Sequence, residues 1–312
     1  MLNKENNFVS AVIYVHNAEH RVSEFVNTVI SVLTTNFEHS EVICVNDFSS
    51  DSSLEQIRKI KTDSAMISLS VINMSFFHGV EKAMNAGTDM AIGDFVFEFD
   101  DTVLDFEPET IMLVYKKALE GNDIVSASPD KGLRLTSRLF YKAFERFSNL
   151  PYHLTSERFR ILSRRVINRI SSMNITTLYR KADYVNCGLK TLNIKYPVSA
   201  GEKNKVDQDE RKYRLRLATD SLILFTQVGY RLSMIMTFLM MFLSITFLVY
   251  TIVIYFTAHP VEGWTTTVLF LSLAFLGIFS ILTIVVKYLQ LLVDMVFRRK
   301  HYIFESVEKI TK

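Results

Sequence analysis

The sequence predicts an α/β domain with a parallel sheet, followed by an interfacial connector and a two-helix membrane hairpin. Three observations lead there. Runs rich in β-branched and aromatic residues alternate with helix-period runs from Phe8 to Ser128. Two long apolar runs without a charge lie near the C-terminus. The ends of the β-rich runs carry acids and amides in place of glycine-rich phosphate loops.

Taken in order, "FVSAVIYV" (8–15) reads as a strand and "RVSEFVNTVISVLTT" (21–35) has helical apolar spacing. "EVICVN" (41–46) is a second strand and "SLEQIRKIK" (53–61) a short helix. "ISLSVIN" (67–73) is a third strand. "GVEKAMNAGTDMA" (79–91) is a helix whose small residues allow close packing on a sheet. "DFVFEF" (94–99) is a fourth strand, "PETIMLVYKKALE" (108–120) a helix with proline near its start, and "DIVSAS" (123–128) a fifth strand. Strands alternating with helices argue for a parallel sheet.

The bulk numbers fit. Of 312 residues 49% are apolar, and the net charge of +2 is too small to suggest a nucleic-acid partner. Two cysteines, Cys44 and Cys187, stand far apart and read as reduced, buried thiols of a cytosolic domain. The N-terminal "MLNKENNFVSAVIYV" lacks the cleavage site of a signal peptide.

No charged residue occurs from Leu232 to Thr257, nor from Thr265 to Val286. Each run exceeds the ~20 residues a helix needs to cross hydrocarbon. The connector "AHPVEGW" has no Lys or Arg, whereas Arg231, Lys287 and "FRRKH" (297–301) flank the outer ends. The positive-inside rule therefore puts both flanks and the large domain in the cytoplasm, with Tyr255 and Trp264 at the far interface. Between domain and hairpin, Lys203, Lys205, Arg211, Lys212, Arg214, Arg216 and Arg231 accompany Leu215, Leu222, Ile223, Leu224 and Phe225. That pairing of charge and apolar surface suits a helix lying on anionic headgroups. The expected division is a catalytic domain at 1–200, an interfacial amphipathic connector at 201–231, a hairpin at 232–296 with spans near 232–257 and 265–286, and a basic cytosolic tail at 297–312.

In sheets of this kind ligands bind beyond the carboxyl ends of the strands. Those ends carry Asn17, Glu19, Asn46, Asp47, Asp51, Asp100 and Asp101. There is no G-x-G-x-x-G after the first strand and no Walker motif, which counts against a dinucleotide dehydrogenase or a P-loop ATPase. Acids at such a rim accept hydrogen bonds from a base or ribose, or hold a divalent cation that screens a diphosphate. A nucleotide sugar bound through Mg²⁺ or Mn²⁺ is the ligand this suggests. The structural alternative for Asp47 is a helix cap, and for Asp100 and Asp101 a solvated turn.

With those residues in view, the chain resembles the family 2 glycosyltransferases, whose fold is GT-A. "SAVIYVHNAEHRV", "EVICVNDFSSDSS" and "GVEKAMNAGTDMAIGDFVFEFDD" look like that family's first strand and loop, its Asp-Asp-Gly-Ser turn, and its helix leading to the Asp-x-Asp strand. "SRLFYKAFERFSNLPYHLTSERFRILSRRV" (137–166) and "ERKYRLRLATDSLILFTQVGYRL" (210–232) resemble the polyprenyl-phosphate group of the family, akin to dolichol-phosphate mannose synthase. The resemblance implies a GT-A, Rossmann-like catalytic domain. It implies inverting transfer of a sugar from a UDP- or GDP-sugar to a membrane polyprenyl phosphate on the cytosolic leaflet. Undecaprenyl phosphate in a bacterial inner membrane is the expected acceptor, and cell-envelope glycan modification the expected use.

By position, the resemblance makes Tyr14, Asn17, Glu19, Asn46 and Asp47 nucleotide contacts, and Asp100 with Asp101 the catalytic and metal-binding acids. Arg134, Ser137, Arg138, Arg160 and Lys212 become contacts of the acceptor phosphate, with Tyr213 beside Lys212 in the family's Ser-Lys-Tyr position. The chain departs from the family pattern at Tyr14, Asn46, Phe48, Phe76-Phe77, Thr102 and Arg158, where the family has a Pro, an Asp, a Gly, an Arg-Asn pair, the second Asp of Asp-x-Asp and an Asp. Any metal would then rest on Asp100 with Asp101 or Asp105; the alternatives are weak metal binding and a cation-independent relative. Two rivals stay open: a non-catalytic membrane scaffold or regulator with a degenerate GT-A domain, and a transferase with a glycan acceptor. Two spans alone make a thin anchor, so a homo-oligomer is compatible with the reading.

Overall fold

A computed structural model describes residues 4–62, 67–130, 157–173, 179–198, 212–213, 215–220 and 304–309, with scattered positions between 239 and 292. Eight strands form one sheet: β1 Val9–Val15, β2 Ser40–Asn46, β3 Ile67–Met74, β4 Phe95–Phe99, β5 Ile124–Pro129, β6 Phe159–Ser163, β7 Thr191–Tyr196 and β8 Phe304–Lys309. Among the described residues the helices around it are α1 Val22–Asn36, α2 Ser53–Arg58, α3 Val80–Met90, α4 Glu109–Leu119, α5 Arg164–Met173 and α6 Arg180–Asn186, with further helical residues at 212–213 and 215–220.

The sheet order is β7-β5-β6-β4-β1-β2-β3-β8. Its centre is parallel, with β1 between β4 and β2 and β3 beyond β2. All seven residues of β1 are buried, because helices cover both faces and a continuous apolar run is what such a strand requires. Side chains alternate across it. Val9, Ala11, Ile13 and Val15 join the core with Phe25, Val29 and Leu33 of α1 and Ile111 and Tyr115 of α4. Val12 and Tyr14 join Ile43, Val45, Ile72, Ala83 and Met84 on the other face. There Gly87 lets α3 close on the sheet, since a Cβ would run into Val12 and Val45.

The expected parallel sheet is mixed. β6 runs antiparallel between β4 and β5, and β8 runs antiparallel to β3 at the far edge. The reversal of β6 matters for function. It brings the start of β6 to the edge where the parallel strands end, so Arg158 meets Asp100 through a backbone hydrogen bond of 3.3 Å.

Residues 1–145, 150–217 and 299–312 form one compact unit, and residues 146–149 with 218–298 form another. Part of the expected basic tail is thus β8. Among the described residues no helix is long and apolar enough to cross a membrane. The two apolar runs lie almost wholly outside those residues, as do Arg134, Ser137 and Arg138.

Candidate active site

The carboxyl ends of β1 and β2 are stitched together by the residues expected to contact a nucleotide. Asn17, at φ 45, accepts at its side-chain oxygen from the Ser50 backbone N–H at 2.9 Å, and its own N–H donates to Ser49 Oγ at 3.1 Å. Glu19 accepts from the Ser52 N–H, while Asp51 accepts from the Glu19 N–H and from Ser53. Asn46 donates to Asn73 and accepts from the Ser49 N–H. These bonds fix two loops whose backbones would otherwise be free to move.

Asp47 sits at the centre with no exposed surface. Its Oδ1 accepts from the His78 N–H at 2.8 Å; its Oδ2 accepts from the Gly79 N–H at 2.8 Å and from the Tyr14 hydroxyl at 3.0 Å. Burial pushes its carboxyl upward, and the N–H groups of His78 and Gly79 and the Tyr14 hydroxyl oppose that rise. The carboxylate thereby anchors the loop between β3 and α3. Gly79, at φ 83, is needed there, because a side chain would also strike the Tyr213 ring.

Around that anchor lies an aromatic cluster. His16 packs on Phe77 at 4.7 Å between ring centroids, Phe76 stacks on His78 at 4.0 Å, and Phe77 meets Tyr213 edge-on at 5.8 Å. Phe48, at φ 55, and Phe76 are both more than half exposed. Tyr213 is half-buried, and burial raises its hydroxyl well above the ordinary range. Lys212 is exposed on the same helical segment.

The second half of the site is an arginine clasp at the end of β4. The antiparallel register sets Arg160 of β6 opposite Glu98. Arg160 donates from Nη1 to Glu98 at 2.6 Å, from Nη2 to Asp100 Oδ2 at 2.7 Å, and from Nε to Glu157 at 3.1 Å. Arg180, at the start of α6, donates from Nη2 to Asp100 Oδ1 at 2.6 Å and from Nε to Glu81 at 3.1 Å. Its Nη1 lies 2.9 Å from Glu98 Oε2, an ion-pair distance without hydrogen-bond alignment. Both guanidinium groups are 1% exposed, and Tyr184 donates to Glu98 at 2.7 Å. Outside them, Arg158 donates to Asp101 at 2.5 Å and to Asp105 at 2.8 Å, and the Tyr196 hydroxyl donates to Asp105 at 2.9 Å.

Burial would raise Asp100, but Arg160 and Arg180 outweigh it and hold the carboxyl well below its usual range. Glu98 is lowered in the same way, burial being overcome by Arg180 and Arg160. The arginines stay charged throughout.

This arrangement bears on the expected metal. Both oxygens of Asp100 and one of Asp101 are engaged by guanidinium groups. A divalent ion on these acids would have to displace arginines and then lie beside them. Among the described residues no group of three His, Cys, Asp or Glu side chains is arranged to hold a metal ion. As they stand, the acids do not fit a divalent clamp. Arg160, expected at the acceptor phosphate, is an interior residue with every guanidinium nitrogen committed to a carboxylate. Arg180 and Lys181 escaped the sequence reading, because an Arg-Lys pair at a helix start resembles any solvated turn.

A family model described as glycosyl transferase family 2 matches residues 10–175. A glycosyltransferase of Synechocystis sp. is 30% identical over 188 residues, 58% of either chain. This chain therefore spans less than two thirds of that relative. The Bacillus subtilis glycosyltransferase YkcC is 24% identical over 307 residues, covering 95% of this chain and 93% of its own. The bactoprenol glucosyl transferase of Shigella phage SfV is 28% identical over 281 residues, covering 86% and 88%. Among solved structures, glucosyl-3-phosphoglycerate synthase from Mycobacterium tuberculosis, in complex with Mn²⁺, UDP and phosphoglyceric acid, superposes with a TM-score of 0.46 at 12% identity, covering 70% of this chain and 78% of that one.

Proposed function

This chain belongs to glycosyl transferase family 2, and from that premise we propose that it moves a sugar from a UDP- or GDP-sugar to a polyprenyl phosphate. The observation that carries the reading is the rim at the ends of β1, β2 and β4. There an anchored, aromatic-lined turn around Asp47 stands beside the arginine clasp on Asp100 and Asp101. The likeness to a protein named bactoprenol glucosyl transferase supports the choice of acceptor.

The chemistry asks little of a general base. A phosphomonoester has a second pKa near ~6 and is already a dianion at neutral pH. One of its oxygens attacks the anomeric carbon of the sugar and forms the new C–O bond. The bond from that carbon to the diphosphate breaks with inversion, and the nucleoside diphosphate leaves with the electron pair. No proton has to be removed from the acceptor. What the protein must supply is alignment and positive charge for two approaching anions. Arg158, with 32% of its side chain exposed, and the exposed Lys212 supply it in this reading.

The lipid acceptor calls for a membrane anchor. We take the runs 232–257 and 265–286 as a hairpin in a bacterial inner membrane, with the catalytic domain in the cytoplasm. Two observations support this. Leu239, Phe242, Ile278 and Leu292 are about half exposed or more, as lipid-facing residues would be. β8, Phe304–Lys309, pairs with β3 in the sheet of the large domain, as an even number of crossings requires.

The test incubates the purified full chain with undecaprenyl phosphate and a panel of radiolabelled UDP- and GDP-sugars. Label extracted into the organic phase is the expected result. Label in an aqueous glycan fraction would favour a glycan acceptor. No transfer with any donor would favour the scaffold reading, which the occupied Asp100 also suits.

A further inference from the structure

The acids at the end of β4 are not presented as free ligands. Asp100 is gripped on both oxygens by the buried Arg160 and Arg180, and Asp101 is gripped by Arg158. A dication entering here would lose the attraction of carboxylates already neutralised and would face several guanidinium charges at short range. A diphosphate entering the same place meets the opposite balance.

Arg158 is placed to receive it. It holds Asp101 and Asp105 at 2.5 and 2.8 Å, yet it stays about a third exposed, whereas Arg160 and Arg180 are sealed in. Its planar fork suits phosphate as well as carboxylate, so exchanging one oxyanion for the other keeps charge-assisted bonds on the guanidinium. Lys181, next to Arg180 on α6, is half-buried and close enough for its charge to act on Asp100.

We propose that Arg158 supplies positive charge that binds the donor diphosphate, and that nucleotide binding in this protein needs no divalent ion. Asp100 and Asp101 then serve to position arginines. This rests on the reading above that the rim accepts a nucleotide sugar.

The experiment uses the full chain in lipid nanodiscs and titrates UDP and GDP by calorimetry, first in EDTA and then in excess Mg²⁺ or Mn²⁺. The same affinity for at least one nucleotide within about twofold is expected in both conditions, with Arg158→Ala weakening it about tenfold and Arg158→Lys recovering part of the loss. Binding that appears only with a divalent ion overturns this inference and leaves the donor reading standing. No binding of either nucleotide under any condition overturns both. A measurement on the unaltered protein removes dependence on variants that misfold: Mn²⁺ alone, followed by electron paramagnetic resonance. The ion is expected to remain free in solution. Stoichiometric uptake without nucleotide contradicts the proposal.

Discussion

Arg180 Nη2 donates to Asp100 Oδ1 at 2.6 Å, tying the start of α6 to the end of the strand that carries the rim acids. The pair is buried on the arginine side and shares Glu81 and Glu98 with the interior. A buried ion network contributes little as a whole, because desolvation offsets its attraction. Losing one member is a different matter, since the remaining charges stay buried without their counter-ion.

Arg180→Ala is therefore expected to destabilise the protein by about 3–5 kcal/mol, the range for breaking a buried pair. Thermal unfolding of the purified chain, followed by circular dichroism, reads the loss. Arg180→Ala combined with Asp100→Asn should cost less than the sum of the two single changes, because the pair is lost only once.

The depressed Asp100 and Glu98 set an acid limit to stability. In the unfolded chain they titrate near their ordinary values of 3.8 and 4.5. In the folded protein they hold their charge to lower pH, so the unfolded state binds protons first as pH falls. Their contribution is complete above those ordinary values and drains away as pH drops through them towards the folded values. Melting temperature measured against pH should fall below about pH 4.5 and flatten partly in Asp100→Asn. A profile of equal slope in both proteins would contradict the assignment.

Gly79→Ala should be destabilising by more than about 1 kcal/mol, since φ 83 is costly for any side chain and the new methyl meets the Tyr213 ring. Tyr213→Ala in the same chain should recover only the steric part. Full recovery of the melting temperature would show that backbone strain contributes nothing.

Arg58 and Glu308 form a forked surface pair, with bonds of 3.0 and 2.5 Å, that fastens β8 to α2. Both side chains are more than a third exposed or close to it, so Glu308→Ala should cost no more than about 1 kcal/mol. Deleting residues 304–309 should do far more, because it bares the edge of β3. Limited proteolysis of the two variants separates these effects.

The central sheet was legible because its strands are continuous apolar runs closed by acids and amides, and each of β1 to β5 lies where its run lies. β6 and β7 were not, because "FRILS" and "TLNIKY" are short and half polar, and β6 takes its place from the register that sets Arg160 against Glu98. β8 left no strand signal either, because "FESVEK" has only Phe304 and Val307 as apolar residues, three apart, and lacks the period-2 alternation of a half-buried strand. Asp47, Asp100 and Asp101 were found as rim acids. The partners of Asp100 and Asp101 were not, because Arg158, Arg160 and Arg180 reach them from distant sequence through an antiparallel strand and a helix start.

The most direct test of the donor site is hydrogen–deuterium exchange of the full chain with and without UDP and GDP. Slowed exchange is expected with one of them at residues 15–19, 46–53, 75–79 and 100–105, the segments that form the rim. Binding that leaves those segments unchanged and protects the chain elsewhere would contradict this assignment.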